Sequence, residues 1–134
     1  MRSLGGNSGV EAVAFSPDGR LLATSGDSQK KVGVWDADTG ELLRVLAGSD
    51  CDKDVAFSPD GRLLACCGWE NTVELWDPVT FKHLGTLTGH KGGIFGTVHG
   101  VAFSPDGRLL ASCGSDKTVR LWSSPRPVAA DREP

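Results

Sequence analysis

An eleven-residue string, Val13-Ala14-Phe15-Ser16-Pro17-Asp18-Gly19-Arg20-Leu21-Leu22-Ala23, returns unchanged from Val55 to Ala65 and from Val101 to Ala111. Phe15 and Phe57 are 42 residues apart, and Phe57 and Phe103 are 46 apart. Repetition at a near-constant period means that each unit is one supersecondary element, unable to bury its apolar face alone and stacked on its copies. Periods of roughly 40 to 45 residues are those of four-stranded β units.

Each unit reads as strands. An apolar segment ends at Phe, a Ser-Pro-Asp-Gly turn follows, and Leu-Leu-Ala begins a second strand; Pro presets φ early in such a turn and Gly supplies positive φ late. Third strands alternate over Val32-Gly33-Val34-Trp35, Val73-Glu74-Leu75-Trp76 and Val119-Arg120-Leu121-Trp122. Asp36 to Gly40 and Asp77 to Thr80 carry turn chemistry and lead to fourth strands at Leu42 to Leu46 and Lys82 to Leu87. After Trp122 the run Ser123-Ser124-Pro125-Arg126-Pro127 discourages a fourth strand, since proline removes a ladder donor. No segment has a sustained helical period.

With the pairs Trp35-Asp36, Trp76-Asp77 and Gly89-His90, the units resemble the WD-repeat family from about Val10 to Trp122. The resemblance implies an all-β fold: three four-stranded antiparallel blades of a β-propeller, the last without its outer strand, forming an incomplete ring. Residues 1–9 are expected to be an outer-strand remnant and loop, 10–46 the first blade, 47–87 the second, 88–123 the third, and 124–134 a disordered tail. Closed propellers use about four to eight blades. Further blades are therefore expected, from a longer parent chain or from copies associating head to tail.

The resemblance also implies a hydrogen-bonded tetrad, carried by His90, Ser112, Asp116 and Trp122 in the third blade. The second blade offers Ser49, Cys66, Glu70 and Trp76, and the first Asn7 or Gly6, Ser25, Gln29 and Trp35, so both depart from the pattern. A His, a Ser and an Asp together invite a nucleophilic reading, which needs an exposed Ser and an oxyanion pocket. The scaffold reading is preferred, because a buried indole and imidazole satisfy each other's polar atoms. An active site in the channel would have to be built on Ala14, Ala56 and Ala102, which carry no functional group.

In the resembled family, partners dock on the rim formed by the turns between strands four and one and between strands two and three. Trp69 is the odd residue there, standing where the other units place Ser28 and Ser115; aromatic side chains of this kind are enriched among binding hot spots. Glu11, Lys53 and His99 begin the inner strands at equivalent positions and are further partner-binding candidates. Phe95, with Ile94 in the third unit's insertion, is either packed on the neighbouring blade or offered to a partner. Asp50-Cys51-Asp52-Lys53-Asp54 has alternating carboxylates, but Val55 and Gly61 stand where a calcium loop needs Gly and Glu, so no metal is expected and an acidic rim patch is preferred.

With 14 Lys+Arg against 17 Asp+Glu and no basic cluster, the chain offers no field for nucleic acid. No apolar run approaches the roughly 20 residues of a membrane span. A cytoplasmic location, with the four cysteines reduced, is the expectation. No cofactor motif occurs. The sequence therefore points to a non-catalytic scaffold displaying rim loops to other proteins or peptides; the alternative is a regulatory or sensor module of a larger multidomain protein.

Overall fold

The computed structural model describes residues 1, 3–4, 9–26, 31–46, 51–93 and 96–124. Phe95 and the expected tail beyond Ser124 lie outside them, as do Gly6, Asn7, Gln29 and Ser49. Among the described residues eleven strands follow in order: β1 (Val10–Phe15), β2 (Leu21–Gly26), β3 (Val32–Asp36), β4 (Leu42–Leu46), β5 (Asp54–Phe57), β6 (Leu64–Cys67), β7 (Thr72–Trp76), β8 (His83–Thr88), β9 (Val98–Phe103), β10 (Leu109–Gly114) and β11 (Val119–Ser123). They form three antiparallel sheets, β1-β2-β3-β4, β5-β6-β7-β8 and the three-stranded β9-β10-β11. Ser3 and Leu4 belong to no strand.

The Ser-Pro-Asp-Gly turns fix the inner hairpins identically. The Gly19 N–H donates to the Ser16 carbonyl at 2.9 Å, with Gly19 at φ 74°. The Ser16 hydroxyl donates to Asp18 Oδ1 at 2.6 Å and accepts the Leu21 N–H at 3.0 Å, while Asp18 Oδ1 also accepts the Arg20 N–H at 3.0 Å. The same bonds recur at Ser58–Asp60 and Ser104–Asp106. Ser and Asp thus place their own oxygens on backbone donors that the turn leaves without a ladder partner.

Alternation along the strands gives every blade two faces. On one, which we call leading, the residues of the first blade are Val13, Phe15, Leu22, Thr24 and Trp35; on the other, trailing, they are Leu21, Ala23, Ser25, Val32 and Val34. The trailing face of the first blade packs on the leading face of the second, where Ala23, Val32, Val34 and Leu46 meet Val55, Leu64, Cys66 and Trp76. The trailing face of the second blade packs on the third, where Ala65, Cys67, Val73 and Leu75 meet Val98, Val101 and Leu110. The inner strand β1 lies against β5, and β5 against β9. At the outer edge the Arg44 guanidinium sits 5.1 Å from the centre of the Phe81 ring, linking blades one and two.

The arc is open at both ends. Val13 is 62% exposed, whereas its equivalents Val55 and Val101 are buried, and Phe15 is 65% exposed, whereas Phe57 and Phe103 are half-buried. Val119 and Leu121 are 71% and 68% exposed, whereas Val73 and Leu75 are buried. Each large apolar side chain left in water forgoes ~2 kcal/mol of burial.

The cysteines correct one expectation. Cys51 and Cys66 form a disulfide with Cα atoms 5.5 Å apart, and only Cys67 and Cys113 are free thiols among the described residues. Four reduced cysteines are what the sequence predicts, because the approach of Cys51 to β6 is set by the path of the loop before β5 and not by any spacing in the chain.

Candidate partner-binding rim and the buried polar cluster

In the third blade the four expected tetrad residues converge. His90 Nδ1 lies 3.0 Å from Asp116 Oδ1, His90 Nε2 lies 2.8 Å from Ser112 Oγ, and the Trp122 Nε1–H donates to Ser112 Oγ at 2.9 Å. Register explains the approach: Ser112 lies opposite Arg120 and Leu110 opposite Trp122, so the indole on β11 reaches back one pair along the shared face. Asp116 is loaded with donors. It accepts the Thr118 hydroxyl at 2.7 Å and the Lys91 N–H at 3.0 Å, and these bonds, the hydroxyl first, hold its carboxyl well below the usual carboxylate range despite its burial.

The connectivity Asp–His–Ser is that of an acyl-transfer triad, but its accessibility is not. Ser112 is 2% exposed, the His90 side chain 1%, and one Ser112 lone pair is taken by the indole. Nucleophilic attack needs an open approach and donors aimed at developing charge.

The first two blades use different links. In the first, the Trp35 Nε1–H donates to Thr24 Oγ1 at 3.0 Å. Thr24, not Ser25, is the acceptor, because Thr24 lies opposite Val13 as Ser112 lies opposite Val101. Ser25 faces the other way, buried with its hydroxyl unpartnered. In the second blade Cys66 holds that position, opposite Val55, and its sulfur is joined to Cys51. Trp76 Nε1 is consequently buried without an acceptor. The disulfide runs from the loop before the inner strand to the second strand, where blade three has its His90–Ser112 hydrogen bond.

On the rim, Glu11 and His99 are exposed and Lys53 is half-buried. They sit at the heads of adjacent inner strands, at the end opposite the Ser-Pro-Asp-Gly turns. Trp69 is half-buried: its Nε1–H donates to Asp52 Oδ2 at 2.8 Å, and its backbone bridges Thr97 of the third blade. Asp52 is 4% exposed and its Oδ1 has no partner. Asp54 accepts the Val101 N–H across the blade boundary at 3.0 Å. Asp54 thus serves the joint between blades two and three, and Asp52 holds Trp69 within the second blade, roles that a count of rim charges does not reveal. Sequence reasoning also missed Asn71. At φ 63° beside Glu70 at φ 74°, it turns the hairpin between β6 and β7, donates to the Gly93 carbonyl at 2.8 Å and accepts the Gly92 N–H at 3.0 Å. It anchors the insertion of the third blade to the second, and its only signal was Asn at a turn tip.

No helix is long and apolar enough to cross a membrane, and no group of three or more metal-ligating side chains occurs among the described residues.

Blades of this construction, joined in an arc around a set of inner strands, define a propeller-repeat protein. The chain belongs to the WD40 family, whose profile, WD domain, G-beta repeat, matches residues 1–36, 40–77 and 81–123. It is similar to the nuclear distribution protein PAC1 of Gibberella zeae, 35% identical over 85 residues that cover 60% of this chain and 18% of that protein. The nuclear distribution protein nudF 2 of Aspergillus clavatus is 38% identical over 87 residues, covering 60% of this chain and 20% of that protein. The chain thus spans about a fifth of the length of these curated relatives. Among solved structures, that of U3-55K matches with a TM-score of 0.83 at 25% identity, over 91% of this chain and 38% of that one. The RRP9 WD40 repeats match with a TM-score of 0.82 at 25% identity, over the same shares. WD40 repeats generally mediate protein–protein interaction, and the family is generally non-catalytic.

Proposed function

We propose that this chain is a non-catalytic protein-interaction scaffold that presents Glu11, Lys53 and His99, flanked by Trp69, to a segment of a partner protein. The observation that carries the reading is a division of labour. The only triad-like cluster among the described residues is buried and mutually bonded, while the equivalent rim positions at the heads of three neighbouring inner strands carry unlike side chains, exposed at Glu11 and His99 and half-buried at Lys53. Loops and strand ends held by a repeated framework are free to vary, which is where recognition concentrates.

Peptides selected on the chain from a displayed library test this. Binders should lose at least tenfold in affinity, about 1.4 kcal/mol, in the Glu11→Lys, His99→Ala double variant. They should be indifferent to Arg20→Ala with Arg108→Ala at the opposite end. Binders with the reverse pattern contradict the reading.

A regulatory module of a longer protein is the second reading, favoured by the fifth of the relatives' length that the chain spans. The proposal puts the chain in the cytoplasm. The Cys51–Cys66 disulfide weighs against that, since such bridges persist in oxidising compartments. The mass of chain recovered from thiol-blocked cytosol decides between them.

A further inference from the structure

We infer that the Cys51–Cys66 disulfide is a redox-sensitive latch on the rim: a dithiol reductant opens it, Cys51 and Asp52 swing out about Lys53, and Trp69 loses the carboxylate that pins its ring. What the latch regulates rests on the rim reading above; the movement itself does not.

The two half-cystines are held differently. Cys66 lies in β6, paired on one side with Val55 of β5 and on the other with Glu74 of β7. Cys51 and Asp52 belong to no strand, and the backbone bond that ties their segment to β6 comes one residue later, from the Lys53 N–H to the Cys67 carbonyl at 3.0 Å. That bond makes Lys53 the hinge. On the far side of it the segment is fastened by the disulfide and by the Trp69 Nε1–H, which donates to Asp52 Oδ2 at 2.8 Å.

Buried polar atoms without a partner flank the bridge on both sides. Asp52, next in sequence to Cys51, is 4% exposed and its Oδ1 meets no donor; Trp76 Nε1, facing Cys66, meets no acceptor. A buried carboxylate oxygen left unpaired costs more than one indole hydrogen bond returns. The covalent tether is therefore what keeps Asp52 out of water. Reduction removes the tether, lets the carboxylate reach solvent, and leaves at Cys66 a thiol sulfur able to accept weakly from Trp76. Both unpaired groups are relieved by the same step.

In that step a thiolate of the dithiol attacks the Cys51 sulfur, the S–S bond breaks, and Cys66 leaves and takes up a proton. The second thiol then displaces Cys51, so the chain gains a pair of hydrogen atoms and the dithiol ends as a cyclic disulfide. Cys51 is 1% exposed, so attack takes place during local opening of its loop. The neighbouring thiol of Cys67 is kept out of the exchange, because burial pushes its pKa far above the usual thiol range.

Hydrogen exchange at the indole N–H groups of the whole chain, with and without dithiothreitol, tests the latch. Iodoacetamide capture and mass spectrometry show when Cys51 and Cys66 are reduced. In that state the Trp69 indole should exchange faster by about tenfold or more, while the Trp122 indole, bonded to Ser112 in the third blade, should keep its protection. Oxidised glutathione should restore the Trp69 rate. Cys51→Ser, which leaves Cys66 as a thiol, should show the reduced behaviour without reductant, and Cys113→Ser should leave the response intact. Trp69 protection that survives full reduction, or survives Cys51→Ser, overturns the inference. So does loss of Trp122 protection in step with Trp69, which would make the bridge a bond holding the whole fold, and so does a bridge that dithiothreitol does not open in the folded chain. The readout is an indole of the chain itself, so each of these outcomes is separate from a failure of displayed peptides to find the rim.

Discussion

Cys66 occupies the position from which Ser112 accepts an indole hydrogen bond one blade later, and the Trp76 Nε1–H facing that position is buried without an acceptor. A disulfided sulfur is a poor acceptor, so the second blade has exchanged two hydrogen bonds for one covalent link. Closing a loop of about 15 residues restricts the unfolded chain by ~3 kcal/mol. Cys51→Ala with Cys66→Ala should therefore lower unfolding free energy by about that amount. Cys51→Ala with Cys66→Ser should recover ~1 kcal/mol of it, because a hydroxyl is restored opposite Trp76. Urea unfolding of the two double variants measures the difference, and equal values would contradict the assignment.

Trp69 supports a buried carboxylate as well as facing the rim. Trp69→Phe removes the donor to Asp52, whose other oxygen already lacks a partner, and should cost about 1–3 kcal/mol. In an Asp52→Ala background the same change should cost much less. A double-mutant cycle in urea reads the coupling, and strict additivity would contradict it.

Asp116 makes the third blade acid-sensitive. Its folded carboxyl is held below the unfolded value near 3.9 by the Thr118 hydroxyl and the Lys91 N–H. A depressed carboxylate stabilises the fold fully above its unfolded pKa and loses that contribution as pH falls toward the folded one. The wild-type urea midpoint should therefore fall between about pH 5 and pH 3 more steeply than that of Asp116→Asn. Parallel curves would contradict the role given to Asp116.

Repeated letters made most of the fold readable. The string from Val13 to Ala23 carries its own turn chemistry and face alternation, so blade number and strand order among the described residues follow from local physics. What differs among blades was less legible, because it depends on non-local approach. Ser25 and Thr24 are neighbours that both offer a hydroxyl; Thr24, which follows the repeated string as Ser112 does, is the one that cross-strand register turns toward Trp35. Cys51 meets Cys66 through the path of a loop whose sequence announces nothing. Asp52 and Asn71 look like solvated loop polars, yet the fold gives Asp52 a partner within its own blade, 17 residues away, and Asn71 one in the next blade, 22 residues away.

The account turns on whether Ser112 holds the third blade together or does chemistry. Residues kept for activity commonly cost stability, so replacing them is neutral or stabilising, whereas removing a buried acceptor leaves its donors unpaired. The urea unfolding free energy of Ser112→Ala decides between these. The account predicts a loss of about 1–3 kcal/mol, from the Trp122 indole and the His90 ring losing their common partner. An unchanged or raised stability would contradict the scaffold reading and return Asp116, His90 and Ser112 to consideration as a catalytic group.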